Sequence, residues 1–271
     1  MLRHFLLLSV LLCLVHLPAF GDAVLPPASP ITQPLDLLPL KKALTPLDTT
    51  QALQSHTTLY MTGTHESVSV TLREDLQIVA RYPNRFRASL TQYDTHGGPK
   101  KKLVIISNGA LVWTYRPGLR RYSVMPYADW KKTDNAIPTL GMIIGGFYLG
   151  EGRPLVQGFH SITSANSADV LSVLSGMDVS LSRQIKSVGN QDDYVYSLML
   201  SKQDLAYQFY VGSQTGRLTR LDLAGTQDNT DVTYREDIKQ ISSRPVISTA
   251  TFAFAPPPGV TQTAVVSIDP F

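Results

Sequence analysis

Cysteine is almost missing from this chain. Cys13 is the only one in 271 residues, and it sits in an N-terminal apolar run, so everything after that run has neither thiol chemistry nor a disulfide. An excess of one charge is missing too. Lys and Arg number 24 against 21 Asp and Glu, for a net charge of +3, and Arg3 is the only charged side chain before Asp22. Nucleic-acid-binding domains carry a concentrated basic surface, so a near-neutral chain argues against a nucleic-acid partner. The run Lys100-Lys101-Lys102 follows Gly97-Gly98-Pro99 and reads as the solvated start of a strand.

Catalytic signatures are equally scarce. Beyond the N-terminal run the histidines are His56, His65, His96 and His160. No two of them share a helix face, and no cysteine can join them in a metal cage. There is no Gly-x-Ser-x-Gly elbow, and the Gly-Gly-Pro-Lys-Lys-Lys stretch lacks the order of a phosphate loop. Asp192 and Asp193 are adjacent, so along a strand they point to opposite faces and cannot act on one substrate. The expectation is a protein that is not an enzyme, with no catalytic residue, metal ligand or cofactor.

What is present begins with a targeting pattern. Arg3, an apolar run from Phe5 to Leu17 and small residues at Ala19 and Gly21 have the anatomy of a secretory signal over 1–21, cleaved near Gly21. The run is too short to span a bilayer comfortably, and Leu12 before Cys13 is too large for a lipoprotein signal. A soluble, exported protein is expected. Residues 22–46 hold Pro26, Pro27, Pro30, Pro34, Pro39 and Pro46 and read as an extended tether, with a short helix over 47–55 capped by Asp48 or Thr49.

Short alternating runs then predict strands over 57–63, 67–73, 76–82, 84–93, 101–107, 110–116 and 119–125, and again over 193–201, 206–212, 217–225, 231–241 and 250–256. Asn108-Gly109 predicts a tight hairpin with positive φ at both central residues. Arg116-Pro117-Gly118 predicts a second turn, with glycine at the positive-φ position. Between the two meanders, about 127–182 differs. It holds an apolar block from Leu140 to Leu149 broken by Gly141, Gly145 and Gly146, then helical spacing at Val170, Leu171 and Leu174. That insertion is a lid or a core helix. Leu111, Trp113 and Tyr115 share one strand face, which either closes a core or lines a cavity.

Three blocks, in order, carry a resemblance: Tyr82-Pro83-Asn84-Arg85-Phe86, then Ser107-Asn108-Gly109 through Trp113-Thr114-Tyr115, then Phe252-Ala253-Phe254-Ala255-Pro256-Pro257-Pro258-Gly259-Val260. Together they resemble the outer-membrane lipoprotein carrier (LolA-like) superfamily, and the likeness spans 47–265. The chain reads as a divergent periplasmic relative. The resemblance implies a mainly β fold with some helix, a curved antiparallel sheet forming an incomplete barrel covered by lid helices, built as a single domain over 47–271 with the insertion at 127–182. It also implies binding of acyl chains of a lipoprotein or lipid under a mobile lid, with a membrane-associated donor or acceptor protein as a further partner and a monomeric state. On this reading Phe86, Leu111, Trp113, Tyr115, Met142, Ile143 and Phe147 line an apolar cavity. In that family an arginine directly before Pro-Asn holds the lid. Here Tyr82 stands in that place and Arg81 comes one residue earlier, a shift that changes the face, so Arg81 is a lid contact out of register. An envelope protein-binding or lipid-sensing module with the same fold is the alternative.

Overall fold

The computed structural model describes residues 20–21, 35–65, 68–93, 98–133, 139–150, 153, 156–157, 179–188, 191–200, 205–227 and 230–266. The helix expected over 164–177, His96 and His160 lie outside them.

Alternation along the chain becomes alternation in burial. β1 is a two-residue strand, Phe20–Gly21, paired antiparallel with Gln227 and Thr226. Then come β2 (Ala52–His65), β3 (Val68–Arg81), β4 (Arg85–Tyr93), β5 (Pro99–Asn108), β6 (Leu111–Arg116) and β7 (Arg121–Pro126). After the insertion follow β8 (Val179–Val188), β9 (Gln191–Leu200), β10 (Leu205–Gly212), β11 (Leu218–Gln227), β12 (Thr230–Ser242) and a two-residue β13 (Thr261–Gln262). The fold is mainly β, as expected, and the sheet is mostly antiparallel and not closed into a barrel.

The expected runs 67–73 and 76–82 are one strand, β3. β8 was not foreseen as a strand, and 250–256 is not one. There a short 3-10 turn, Thr249–Phe252, leads into irregular chain. The helix is also displaced. α1 occupies Leu38–Thr49, where a tether was expected, and 52–55 belongs to β2. Asp36 Oδ1 accepts the Leu38 N–H at 3.0 Å and so starts the helix. Pro39 falls in its first turn, where no intrahelical N–H is needed. Leu40, Ala43, Leu44 and Leu47 are buried at helical spacing.

The chain divides into two compact units, and β2, β3 and β12 each contribute residues to both. The first unit comprises Met1–Asp48, Tyr60–Thr71 and Pro154–Asp237. Its strands run β8–β9–β10–β11–β12. One ladder row reads Arg183, Tyr196, Phe209, Leu221 and Glu236. The Tyr196 hydroxyl donates to the Asp36 carbonyl at 2.9 Å, and the Arg183 guanidinium lies 3.6 Å from the Asp36 carboxylate. These contacts fasten the start of α1 to that face. Burial, partly offset by Arg183, pushes the Tyr196 phenol up to about 12. Asp192 and Asp193 do diverge: one accepts from Ser187 and the other from Thr219, each at 2.7 Å.

The second unit comprises Thr49–Leu59, Leu72–Arg153 and Ile238–Phe271. Its strand order is β13–β7–β6–β5–β4–β3–β2. β13 is parallel to β7, and the Thr261 and Thr263 N–H groups donate to the carbonyls of Arg120 and Tyr122 at 3.0 and 2.8 Å. The hairpin at Asn108-Gly109 forms, but only Gly109 has positive φ, +100°. Asn108 acts through its side chain, whose Oδ1 accepts the N–H groups of Ala110 and Leu111 at 2.9 Å each. At the next turn Arg120, not Gly118, takes the left-handed position, with φ +51°.

Candidate functional site

Register sorts the second unit's side chains onto two faces, because residues directly opposite each other in a ladder share a face. One face carries Ala80–Phe86–Ser107–Val112, then Ile78–Ala88–Ile105–Thr114, then Leu76–Leu90–Leu103, and at its rim Glu74–Gln92–Lys101. Phe86, Ala88, Ile78, Leu76 and Ile105 are wholly buried. β2 extends this face. Thr58 donates to Asp75 at 2.8 Å on the other side, so by alternation Leu53, Ser55 and Thr57 point toward Leu76 and Ile78. Trp130, on the four-residue helix α2 (Tyr127–Trp130), packs against Phe86 with ring centroids 5.3 Å apart.

The opposite face carries Val79–Arg87–Ile106–Trp113–Val124 and Gln77–Ser89–Val104–Tyr115–Tyr122. Phe254, from the chain's C-terminal stretch, lies on it at 6.2 Å from Trp113, 5.9 Å from Tyr115 and 5.2 Å from Tyr122. The structure therefore does not bring the expected lining residues together. Ser107 pairs with Val112, which puts Val112 and Thr114 on the side of Phe86 and sends Leu111, Trp113 and Tyr115 to the other. Trp113 and Tyr115 pack under the chain's own Phe254, and Leu111 is exposed.

Met142, Ile143 and Phe147 occupy a π-helical segment, Gly141–Tyr148. Ile143 and Phe147 are buried and Met142 is half-buried. Gly141 opens the segment with φ +72°, and Leu149 N–H donates five residues back to Ile144 at 2.8 Å. A Cβ on Gly150 would overlap the carbonyl oxygens of Gly145 and Gly146. The segment is fastened through Tyr148. Its hydroxyl accepts the Tyr82 N–H and donates to the Thr50 carbonyl, each at 3.3 Å. Arg153 stacks 3.9 Å above the Tyr82 ring and donates to the Tyr148 carbonyl at 3.2 Å. Burial raises the Tyr148 phenol above its ordinary range, opposed by the Tyr82 N–H and by Arg153. Arg81 is exposed, on the face away from Ala80 and Phe86. The hydrogen-bonded and stacked contacts between the Tyr82 turn and this segment are made by Tyr82, Tyr148 and Arg153, and the Arg81 charge also acts on the Tyr148 phenol. Sequence reasoning missed Arg153 and Tyr148, which no local motif marks.

The carboxylates at the rim differ sharply. Burial pushes Glu74 up to about 7 despite the nearby Lys101. Burial alone would also raise Asp75, but hydrogen bonds from Lys239, Thr58 and Tyr93 outweigh it and hold the group near 2. Among the described residues no group of three or more His, Cys, Asp or Glu is placed to hold a metal ion. No described helix is long and apolar enough to cross a membrane.

Fold and site together define an open antiparallel β-sheet protein with one apolar face reserved from solvent and a separately anchored segment at its end. No family model matches the chain, and no curated protein does. Among solved structures it is similar to a LolA superfamily protein from Nitrosomonas europaea, 10% identical, covering 79% of this chain and 95% of that one at a TM-score of 0.31. It is also similar to LprF from Mycobacterium bovis, 10% identical over 77% of this chain and 93% of that one at 0.40. A third is MucB in the Pseudomonas aeruginosa MucA/MucB complex, 11% identical over 75% of this chain and 55% of that one at 0.32.

Proposed function

We propose that the protein is an exported, periplasmic carrier, not an enzyme, that holds acyl chains of a lipid or lipoprotein on the Phe86 face of the second unit. One observation carries the reading. A nearly continuous apolar face, from Leu76 to Val112, ends at a glycine-bounded segment to which a tyrosine hydroxyl and a stacked arginine are fastened. Each buried methylene contributes about 0.8 kcal/mol, so a chain of ordinary length is held firmly once that segment yields. Release then requires open and closed states within a few kcal/mol of each other. The lining expected from the sequence is narrowed to Phe86, with Ile143 and Phe147 on the closing segment.

Native mass spectrometry of protein purified from the periplasm, followed by lipid extraction, tests the reading. Co-purifying acylated species that disappear in Ile105→Asp but persist in Leu111→Asp support it. A protein that emerges empty and takes up no fluorescent fatty acid overturns it.

The alternative, an envelope protein-binding module, draws on β8. That strand ends the sheet and presents Ile185 at 60% exposure, which suits pairing with an added strand. A partner protein whose binding is lost in Ile185→Lys supports it.

A further inference from the structure

The Phe86 face is mostly apolar, and three of the polar groups on it are left unsatisfied. Ser55 Oγ, Thr57 Oγ1 and Trp130 Nε1 are buried, and none has a hydrogen-bond partner among the described residues. Buried polar side chains in folded proteins are otherwise almost always paired, and an exception calls for an explanation. Here three fall on one face of one unit. Ser55 and Thr57 are neighbours along β2, two residues and about 7 Å apart, with 1% and 0% of their surface exposed. The backbone around them is committed to the sheet, so their hydroxyls cannot fall back on a local turn. Trp130, 1% exposed, approaches the same face through Phe86.

The chemistry of the three groups narrows what complements them. A hydroxyl donates or accepts, but an indole N–H only donates. The partner that all three can share is an acceptor oxygen, and a plain hydrocarbon has none. We infer that the ligand of this face is an acyl compound whose two oxygens, of an ester or of a free acid, accept hydrogen bonds from the hydroxyls of Ser55 and Thr57, with the indole of Trp130 as a further donor to them. The inference rests on the carrier reading above and adds to it a choice of ligand. A hydrocarbon or isoprenoid tail without such an oxygen leaves these donors unpaired and is disfavoured, because a site built to hydrogen-bond a group rejects the analogue that lacks it.

Displacement of the neutral fluorophore 1-aminoanthracene from the full chain by methyl palmitate, palmitic acid and hexadecane tests it, with Ser55→Ala/Thr57→Val as the variant. These substitutions remove the hydroxyls while keeping nearly the same shape. Wild type should prefer the oxygen-bearing compounds to hexadecane. The double variant should bind them about tenfold more weakly, leave hexadecane unchanged and, when empty, melt higher than wild type, because unpaired polar groups have gone. A loss for methyl palmitate identifies an esterified chain, and a loss confined to palmitic acid identifies a free acid. Trp130→Phe supplies a second variant, with the same direction expected. A double variant that binds all three compounds as wild type does overturns the proposal while leaving the carrier reading in place. A wild type that takes up none of the three overturns both.

Discussion

The two faces of the second unit are built from the same strands and differ in almost everything else. One is apolar, dry and incompletely paired. The other carries charge and aromatic rings, and the chain's own C-terminal stretch covers part of it. Glu74 and Asp75 make the contrast within two consecutive residues. Glu74 looks onto the Phe86 face and is raised to about 7 by burial. Asp75 looks the other way and is lowered to about 2 by its hydrogen bonds with Lys239, Thr58 and Tyr93. An aromatic stripe is therefore a poor guide to where a ligand goes. Trp113 and Tyr115 are the more conspicuous residues, yet Phe254 already engages them. The quieter face, with Ser55 and Thr57, is the one left with unmet hydrogen bonds.

The largest effect that tests this contrast is loss of packing on the dry face. Phe86→Ala should destabilise the protein by about 3–5 kcal/mol in denaturant unfolding, since the ring is wholly buried against Trp130. Next comes Glu74. Its folded-state pKa lies above the unfolded value, so the folded state holds its proton longer. Stability should be full below about pH 4.5 and fall as the pH rises toward 7, by at most about 3 kcal/mol. Glu74→Gln should remove that part of the pH profile. Its neighbour works in reverse. The stability that ionised Asp75 contributes should be present above about pH 4 and be lost as the pH falls toward 2.

On the covered face Phe254→Ala should cost about 1–2 kcal/mol, because the ring is only half-buried although it meets three others. It should leave uptake of a fluorescent fatty acid unchanged. Equal loss of uptake in Phe254→Ala and Phe86→Ala would erase the distinction between the faces. Smallest is Tyr148→Phe, at about 1 kcal/mol. Hydrogen exchange should show faster opening of Gly141–Tyr148 in that variant, with the strand amides of β4 and β5 unaffected.

Much of the fold was legible because a period of two is hard to disguise. β4, with Phe86, Ala88, Leu90 and Gln92 alternating inward, could be read directly. α1 was hidden by Pro39 and Pro46, which weigh against a helix on composition although the first sits where a helix tolerates it. β8 was hidden because an end strand with Arg183 and Lys186 among its residues has no clean apolar side. The site was less legible than the fold. Strand parity put Trp113 and Phe86 on opposite faces, and nothing local reveals parity between two strands before their register is known. Ser55 was assigned to a helix. Begun at Ala52, the alternation Leu53, Ser55, Thr57, Leu59 marks small hydroxyls in core positions of β2. Tyr148 and Arg153 meet Tyr82 only through the fold, across more than sixty residues of chain.

The short parallel strand β13 has a consequence for how copies of the molecule treat one another. An uncovered outer strand offers its free amides and carbonyls as a template for stacking against a neighbour. Thr261 and Thr263 occupy that position beside β7. A nick or premature stop just after Gly259 would strip this guard, and the damaged molecules would be prone to self-association even with every residue of the dry face intact.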